Sequence, residues 1–329
     1  MVTFEQLLAG IKQNNFLVVG RVGMDFFPEP AGTAIEDGTS FNTSMGGSAA
    51  NTAAGICKLG GKAALVTCVS DDAVGWFCLN QLDKYGVERK NVKKITGEYR
   101  TSLAVYESRL EGHQSVIYRN GAADFQMDES DVVDVDYGAY GALITAGTVF
   151  AAEPSRSAAF KAMELAQAAG LPIIFDVDYR PYSWPSFEVA EEVLSKAASY
   201  CDLIIGNDEE FGFMAGGIDK GLEKARSLNT EKNASVIYKM GPKGAISFIN
   251  GEEIQTGIYK VDALKPTGAG DSFCAGLLAS VAAGHDFKSS ILRGSACAAI
   301  TVSKPGCAPA MPTLVQLEEF LGSHAGAGE

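Results

Sequence analysis

Short apolar runs rich in β-branched residues alternate with longer helical patterns along the chain, and this alternation restricts the possible folds most strongly. The run "LPIIFDVD" at 171–178, for example, would place apolar side chains on both faces of a strand. Strands buried on both sides are typical of a parallel sheet with helices packed on each face. We therefore predict a three-layer α/β fold with a central, mostly parallel sheet. The runs occupy residues 16–20, 63–69, 142–147, 171–178, 202–207 and 235–241.

Two segments, 23–45 and 98–124, depart from this pattern. Their alternating and turn-rich composition favours antiparallel strands outside the main sheet, and we predict that together they form a small β lid. The free edges of such strands often need cover, so a homodimer joined through the lids is expected. The chain shows no internal repeat or low-complexity linker. We therefore expect residues 1–329 to form one domain with the lid inserted in the core.

The chain has 27 Lys and Arg against 40 Asp and Glu, a net charge of −13, which argues against nucleic acid or an anionic membrane as its partner. Its seven cysteines are scattered without a C-x-x-C pair, which predicts neither a zinc site nor a disulfide framework. No stretch reaches about 18 consecutive apolar residues, and the N-terminus lacks a basic region followed by an apolar run. We expect a cytoplasmic protein that binds anions through local basic residues.

The segment "TGAGDS" places glycines before a helix of small apolar residues. The backbone amides of Gly268, Ala269 and Gly270 would lie at the helix N-terminus, where unpaired N–H groups and the helix dipole attract an anion such as phosphate. Asp271 would face the same point, and a carboxylate there is suited to take a proton from a hydroxyl during phosphoryl transfer. A glycine turn that caps a core helix is the alternative. The segment is neither a Walker A loop nor G-x-G-x-x-G, because residue 273 is Phe.

The segment "MGGSAANTAAG" places Gly46 and Gly47 before a second helix, with Ser48 as the expected N-cap and Asn51 one turn in. Asp25 follows the first apolar run. Asp accepts hydrogen bonds and Asn both donates and accepts, so Asp25 and Asn51 are suited to converge on a polyhydroxylated ligand. Taken alone, each is more simply a cap or turn residue.

Two segments, "GGSAANTAAGICKLG" and "KPTGAGDSFCAGLL", resemble in this order the signatures of the PfkB family of carbohydrate kinases, and the resemblance spans nearly the whole chain. It implies the ribokinase-like fold and transfer of phosphate from ATP to a sugar. It makes Asp271 the catalytic base and gives the amides of Gly268, Ala269 and Gly270 to the γ-phosphate. The sugar site would be lined by Asp25, Gly46, Gly47 and Asn51.

The resemblance also assigns residues to the nucleotide. The segment "NDEEF" matches the family's N-x-x-E element, which implies that Asn207 and Glu210 order Mg²⁺ and its waters near the ATP phosphates. A solvated helix position is the alternative for Glu210. The segment "KMGPKGA" resembles the turn with which the family holds ATP, which implies nucleotide-binding roles for Lys239, Gly241 and Gly244.

Within the family, four segments resemble the kinases that act on 5-dehydro-2-deoxygluconate in inositol catabolism, which implies transfer to the terminal C6 hydroxyl of a sugar acid. The carboxylate of such a sugar needs cations in an acidic protein, and Arg119 and Arg180 lie in two of these segments. Judged singly, each arginine is as readily a surface or ion-pair residue as a residue that binds the ligand. The four segments are "DVDYRPYSW", "YRNGAADF", "GNDEEF" and "AMPT".

Three alternatives stay open at this point. The 2-keto-3-deoxygluconate kinases share versions of the first two segments, and they also phosphorylate a sugar acid. A fructokinase-like or ribokinase-like enzyme for neutral sugars is the second alternative, which the two arginines disfavour. The third is a non-catalytic sugar or nucleotide sensor, and an intact Asp271 with its glycine segment speaks against it.

One position departs from the common family pattern. Many members have an aspartate six residues before the base that helps to bind a monovalent cation, and this chain has Lys265 there. A lysine would repel K⁺, so we predict that its ammonium replaces the cation beside the glycine-rich loop. The alternative is a lysine that points to solvent from a loop.

Overall fold

The computed structural model describes residues 2–109 and 112–324. These residues form thirteen strands and eleven α-helices, joined by loops and short 3₁₀ turns. The strands are β1 (Asn15–Val19), β2 (Gly23–Pro28), β3 (Phe41–Gly46), β4 (Lys62–Ser70), β5 (Val92–Ile95), β6 (Leu103–Tyr106), β7 (Ser115–Tyr118), β8 (Ala142–Ala146), β9 (Ile173–Asp176), β10 (Leu203–Asn207), β11 (Ser235–Lys239), β12 (Ala245–Ile249) and β13 (Glu252–Thr256). The helices are α1 (Phe4–Ile11), α2 (Ser48–Lys58), α3 (Ala73–Tyr85), α4 (Ser130–Val133), α5 (Ser155–Ala168), α6 (Phe187–Ala198), α7 (Asp208–Met214), α8 (Gly221–Lys232), α9 (Ala269–Ala282), α10 (Phe287–Val302) and α11 (Leu314–Ser323).

Nine strands form the main sheet in the order β13-β12-β11-β10-β9-β8-β1-β4-β5. The strands from β11 to β5 in this order are parallel, and β12 and β13 continue the sheet in antiparallel fashion. The prediction of a central, mostly parallel sheet is confirmed. Since the carboxyl ends of parallel strands share one edge, the loops after β1, β8, β9, β10 and β11 gather where α/β proteins bind ligands.

The core lies on both faces of this sheet. Along β1, Phe16 and Val18 pack into one cluster of buried apolar side chains, whereas Leu17 and Val19 pack into another, because successive strand residues point to opposite faces. Residues of α2, α9 and α10 complete the first cluster, and residues of α5, α6 and α8 complete the second. The three predicted layers are therefore helices, sheet and helices.

A second sheet of four strands, in the order β3-β2-β6-β7, stands apart from the main one. We call it the lid sheet. Its strands come from the two segments that depart from the α/β pattern, although β3 extends to Gly46. Two of its pairings are antiparallel, but β2 and β6 pair in parallel, which differs from the all-antiparallel expectation. The cause is the chain path, because β2 follows β1 and β6 follows β5, so both leave the same edge of the main sheet.

Helix α2 begins differently from the sequence prediction. Ser48 is its first helical residue, and Gly47 takes the N-cap position with a φ of +95°, so the prediction of Ser48 as the cap is wrong. A side chain would not fit at the cap, because a Cβ atom on Gly47 would lie 2.3 Å from the carbonyl oxygen of Arg21. The glycine thus allows the helix to start directly against the end of β1.

The cysteines and the helix lengths bear on the wider class of protein. All seven cysteines are free thiols, and six of them are buried. Within residues 2–109 and 112–324, no helix combines the length and the apolar character needed to cross a bilayer.

Candidate active site

Asp271 lies in the first turn of α9, at the site that the sequence predicts for an anion. Gly268 is the N-cap, with a left-handed φ of +83° that glycine adopts without strain. Ala269 N–H is directed at the Pro266 carbonyl, 3.4 Å away. Gly270 and Asp271 are the second and third helical residues, whose N–H groups have no acceptor inside the helix. Their amides are therefore well placed to bind an anion.

Asn51 and Asp271 meet where α2 crosses α9. The Asn51 Nδ2 group donates to Asp271 Oδ2 at 2.9 Å. One turn further along both helices, a Cβ atom on Gly55 would lie 2.7 Å from Ala275 Cβ. Because Gly55 has no side chain, the helices approach closely enough for the amide to reach the carboxylate. The structure thus brings a predicted sugar-site residue to the predicted base.

The electrostatic environment of Asp271 suits a base that acts near neutral pH. Burial and, next, the nearby Asp178 carboxylate raise the pKa of Asp271 to about 6. The hydrogen bond from Asn51 and the charges of Arg180 and Lys239 lower the pKa and so limit the rise. A carboxylate with this pKa is ionised at pH 7 and accepts a proton more readily than an ordinary aspartate.

Asp25 and Gly46 lie on neighbouring strands of the lid sheet, where Asp25 is paired with Ser44, two residues before Gly46. A Cβ atom on Gly46 would lie 1.9 Å from Asp25 Oδ1, so only glycine leaves room for this carboxylate. Asp25 is 2% exposed, and its Oδ1 atom has no hydrogen-bond partner in the described part of the chain. Burial raises the pKa of Asp25 to about 7 against the lowering effect of Arg21. The unused oxygen is suited to accept a hydrogen bond from a ligand hydroxyl.

Arg119 is held inside the protein. Its Nε and Nη2 atoms donate to Asp124 Oδ2, and Nη1 donates to the Thr148 carbonyl at 2.8 Å. The guanidinium also stacks on the Phe125 ring, 3.9 Å from its centroid. Arg119 therefore joins the end of the lid sheet to the loop after β8, and its visible bonds serve this junction.

Arg180 lies on the outer side of the site. Its Nη2 atom forms an ion pair with Asp178 Oδ1 at 2.7 Å, and Nη1 donates to the Tyr179 carbonyl at 3.1 Å. Arg180 lines a cavity of about 420 Å³ together with Asn207 and Glu210. The arginine thus faces the residues that the sequence assigns to the metal and nucleotide.

Lys239 ends β11 and lies against the glycine-rich turn. Its Nζ atom is 3.5 Å from the point where a Cβ atom on Gly270 would stand, and Asp176 Oδ2 is 3.9 Å from the same point. Burial alone would lower the pKa of Lys239, but the carboxylates of Asp176 and Glu210 outweigh it and raise the pKa. The lysine is therefore charged and adjacent to the amides of the first turn of α9.

Asn207 and Glu210 form a capping box at the start of α7. Glu210 N–H donates to Asn207 Oδ1 at 2.8 Å, and Asn207 N–H donates to Glu210 Oε2 at 2.7 Å. Burial raises the pKa of Glu210. Among the residues that the structure describes, no group of three or more His, Cys, Asp or Glu side chains is arranged to hold a metal ion. The single side-chain oxygen of Asn207 and one oxygen of Glu210 are already used, which leaves one Glu210 oxygen for a cation or for its waters.

Gly241 is the first residue of the 3₁₀ turn Gly241–Lys243 after β11, and Gly244 follows the turn. Both have positive φ, +53° and +88°. A Cβ atom on Gly244 would lie 2.0 Å from the Thr256 carbonyl oxygen, whereas the space around Gly241 is open. Packing against β13 therefore explains why residue 244 is glycine, and only Gly241 leaves room beside the backbone for a ligand.

Lys265 is fully buried, so the alternative of a solvent-facing lysine is wrong. Its Nζ atom donates to the Thr267 carbonyl at 2.6 Å and is 3.4 Å from the Thr301 carbonyl. Burial lowers the pKa of Lys265, whereas Cys307, Asp271 and Asp25 act to raise it. The ammonium thus contacts the residue that immediately precedes Gly268.

Three polar residues of the site are absent from the sequence-based assignment. Arg21 follows β1, Asp176 ends β9, and Asp178 lies two residues later with a φ of +37°. Burial raises the pKa of Asp176, which lies close to Lys239. The detectable signal is a charged residue directly after an apolar run, as in "LVVGR" and "IIFDVD", because such positions lie at the carboxyl edge of a parallel sheet.

Comparison with known proteins agrees with this geometry. The family model described as "pfkB family carbohydrate kinase" matches residues 13–314. A 5-dehydro-2-deoxygluconokinase of Photobacterium profundum is 36% identical over 311 residues, which cover 93% of this chain and 94% of that protein. A protein of the same name from Clostridium perfringens is 34% identical over 309 residues, with 92% and 91% covered.

A solved structure of the same fold binds sugar, nucleotide and cation. It is a fructokinase double mutant from Vibrio cholerae in a form with bound fructose, ADP and potassium ion. It superposes with a TM-score of 0.81 at 24% identity and covers 93% of this chain and 98% of that one. The predicted ribokinase-like fold is confirmed. With a family match over most of its length and relatives above 30% identity, the chain belongs to the pfkB family of carbohydrate kinases and is an ATP-dependent sugar kinase.

Proposed function

We propose that the enzyme phosphorylates the terminal C6 hydroxyl of a sugar acid, 5-dehydro-2-deoxygluconate, with ATP as the phosphate donor. The observation that supports this most is the Asn51–Asp271 pair at the N-terminus of α9, with the Asp271 carboxylate close enough to both Asp25 and Lys239 for their charges to interact. It offers a base, an anion-binding helix end and a polar ligand site in one place. The relatives named above supply the choice of sugar acid.

The chain's own residues account for the main steps. Asp271 accepts the proton of the C6 hydroxyl, whose oxygen then forms a bond to the γ-phosphorus while the bond to the β-phosphate oxygen breaks. The amides at Gly268–Gly270, of which that of Ala269 would first have to leave the Pro266 carbonyl, and the Lys239 ammonium stabilise negative charge on the transferred group. Arg180, which lines one cavity with Asn207 and Glu210, is proposed to act on the phosphate side. Asp25, Asn51, Gly46 and Gly47 hold the sugar.

Mg²⁺ would be held near the ATP phosphates by Asn207 and Glu210 through water. The capping box that these residues form leaves the second Glu210 oxygen for such a contact. When bound, the cation neutralises charge on the β- and γ-phosphates. Gly241, with open space beside it, is proposed to approach the nucleotide.

Lys265 is proposed to take the place of a monovalent cation. Its buried ammonium already bonds to the Thr267 carbonyl, next to the turn that binds the γ-phosphate. A second positive charge beside it would be repelled, so this donor set does not fit K⁺. The potassium ion of the fructokinase structure described above would then have no counterpart here.

The lid sheet is proposed to cover the sugar and to join two subunits. Phe41 on β3 and Val116 and Tyr118 on β7 are exposed apolar side chains near its free edges. A dimer interface that buries these side chains and pairs the edge strands would remove both the exposed apolar surface and the free strand edges. We place the enzyme in the cytoplasm, where ATP and reduced thiols are available.

Sugar-dependent ADP release tests the proposed function. The purified protein is given Mg·ATP with 5-dehydro-2-deoxygluconate, 2-keto-3-deoxygluconate, fructose or ribose, and kcat/KM is compared. We expect 5-dehydro-2-deoxygluconate to be the best substrate by at least about tenfold. A preference for 2-keto-3-deoxygluconate would change the sugar acid, a preference for fructose or ribose would refute the sugar-acid assignment, and no turnover by folded protein would favour a sensor.

A further inference from the structure

The two arginines assigned to the sugar acid from the sequence already have anionic partners. Arg119 donates two of its N–H groups to Asp124 and a third to a backbone carbonyl. Arg180 forms its ion pair with Asp178. A substrate carboxylate would have to compete with these partners, and neither arginine has a buried, unpaired donor among the described residues.

The two lysines of the site also have contacts of their own already. Lys265 bonds to carbonyl oxygens and has no access to solvent. Lys239 lies beside Gly270 at the phosphate end, between the carboxylates that raise its pKa. Lys265 is near enough to Asp25 to lower its pKa, but its ammonium is fully buried and already bonded to a backbone carbonyl, so it offers no donor to a ligand.

Arg21 differs from these four cations. It follows β1 at the carboxyl edge of the main sheet and is 5% exposed. Its Nε atom donates to Ser102 Oγ at 2.6 Å, but its Nη2 atom has no hydrogen-bond partner within residues 2–109 and 112–324. A Cβ atom on Gly23 would lie 2.5 Å from Nη2, so residue 23 leaves this guanidinium its space. A buried charged donor without an acceptor is costly unless a ligand supplies one.

Unused acceptors belong to the same sugar site. Asp25 Oδ1 and Asn51 Oδ1 are both buried, and neither has a hydrogen-bond partner among the described residues. Arg21 is the charge that most lowers the pKa of Asp25, so the two groups are close, yet Arg21 Nη2 and Asp25 Oδ1 both lack a hydrogen-bond partner in that part of the chain. A ligand that satisfies all three must offer an anionic acceptor to Arg21 and hydroxyl donors to Asp25 and Asn51.

We propose that Arg21 recognises the carboxylate of the sugar acid and is the residue that sets the preference for an acid over a neutral sugar. This inference rests on the proposed function and names the group that selects its substrate. A neutral sugar would leave the buried Nη2 atom unpaired, and a site built to bond one substrate group rejects an analogue that lacks it. Arg119 then holds the lid sheet to the loop after β8, and Arg180 faces the phosphates.

The test compares two substrates with three proteins. The substrates are 5-dehydro-2-deoxygluconate and its analogue with the carboxylate reduced to hydroxymethyl, and the readout is the ratio of their kcat/KM values. The proteins are the wild type, Arg21→Gln and, as a matched control, Arg180→Gln, which removes an arginine that already has a partner. We expect a wild-type ratio of about 100 or more, a ratio within about tenfold of unity for Arg21→Gln, and a near wild-type ratio for Arg180→Gln.

The outcomes separate this inference from the proposed function. An Arg21→Gln enzyme that keeps the wild-type ratio, or an Arg180→Gln enzyme that loses it, overturns the role of Arg21 while the sugar-acid kinase stands. A wild type that does not prefer the acid refutes the proposed function itself. If circular dichroism shows that Arg21→Gln is unfolded, Arg21→Met, which keeps an unbranched side chain without the charge, is read on the same ratio, and an unchanged ratio there also overturns the inference.

Discussion

Removal of the Asn51 amide should shift the pH dependence of turnover. Asn51 Nδ2 donates to Asp271 Oδ2 at 2.9 Å and thereby stabilises the ionised carboxylate, whose pKa burial raises to about 6. In Asn51→Ala this bond is lost, so the charged form becomes less stable and the pKa of Asp271 rises. The base must be ionised to accept a proton. As the pH is lowered, the variant should therefore lose activity at a higher pH than the wild type does.

The size of the shift follows from the bond. A hydrogen bond to a charged group contributes about 1.5–3 kcal/mol, and one pKa unit corresponds to about 1.4 kcal/mol. Water that enters the space replaces part of the bond, so we expect an upward shift of about 1 unit. With a pKa of about 6 in the wild type, the ionised fraction at pH 6 would fall about fivefold, and at pH 8 it would hardly change.

The assay is kcat between pH 5 and pH 9 at saturating sugar and Mg·ATP. Saturation removes the titration of Asp25, whose pKa of about 7 affects binding rather than proton transfer. Cys57→Ala, on the same helix but in contact with Gly86 instead of the base, is the control and should keep the wild-type profile. An Asn51→Ala profile that coincides with the wild type in its acid limb would refute the assigned contact between amide and base.

Three further predictions test the surrounding structure. Gly46→Ala places a Cβ atom 1.9 Å from Asp25 Oδ1 and should raise the sugar KM by at least about tenfold while the ATP KM stays within about twofold; equal changes in both would contradict the sugar assignment. Gly55→Val forces α2 away from Ala275 and should lower the free energy of unfolding in urea by about 1–3 kcal/mol, whereas Gly322→Ala on α11, with open space around it, should not. Lys265→Ala should lower kcat by about tenfold or more and regain activity with ammonium or potassium ions, while the wild type is insensitive to both; a wild type that requires K⁺ would contradict the replacement.

Much of the fold follows from local pattern. The apolar runs at 171–178 and 202–207 become the parallel strands β9 and β10, since strands buried on both faces can form only in a covered sheet. The start of α9 was predictable for a similar reason. Only glycine adopts the left-handed φ of Gly268 without strain, and the next residues then offer free amides.

The partners of side chains were less predictable. The sequence around Arg119 does not distinguish a ligand contact from an ion pair with Asp124, because both depend on how the lid sheet meets the loop after β8. Gly244 lies in the predicted nucleotide turn, and the sequence does not reveal that the close approach of Thr256 on another strand also requires glycine there. Arg21 and Asp25 are separated by four positions, and only the three-dimensional arrangement shows that each has an unused polar atom.

Turnover by Asp271→Asn tests the central claim most directly. Asparagine has nearly the same shape but cannot take the C6 proton, so kcat with 5-dehydro-2-deoxygluconate should fall by at least about 1,000-fold while circular dichroism and sugar binding measured by calorimetry are retained. A variant that binds the sugar and turns over within about tenfold of the wild type would show that Asp271 is not the base.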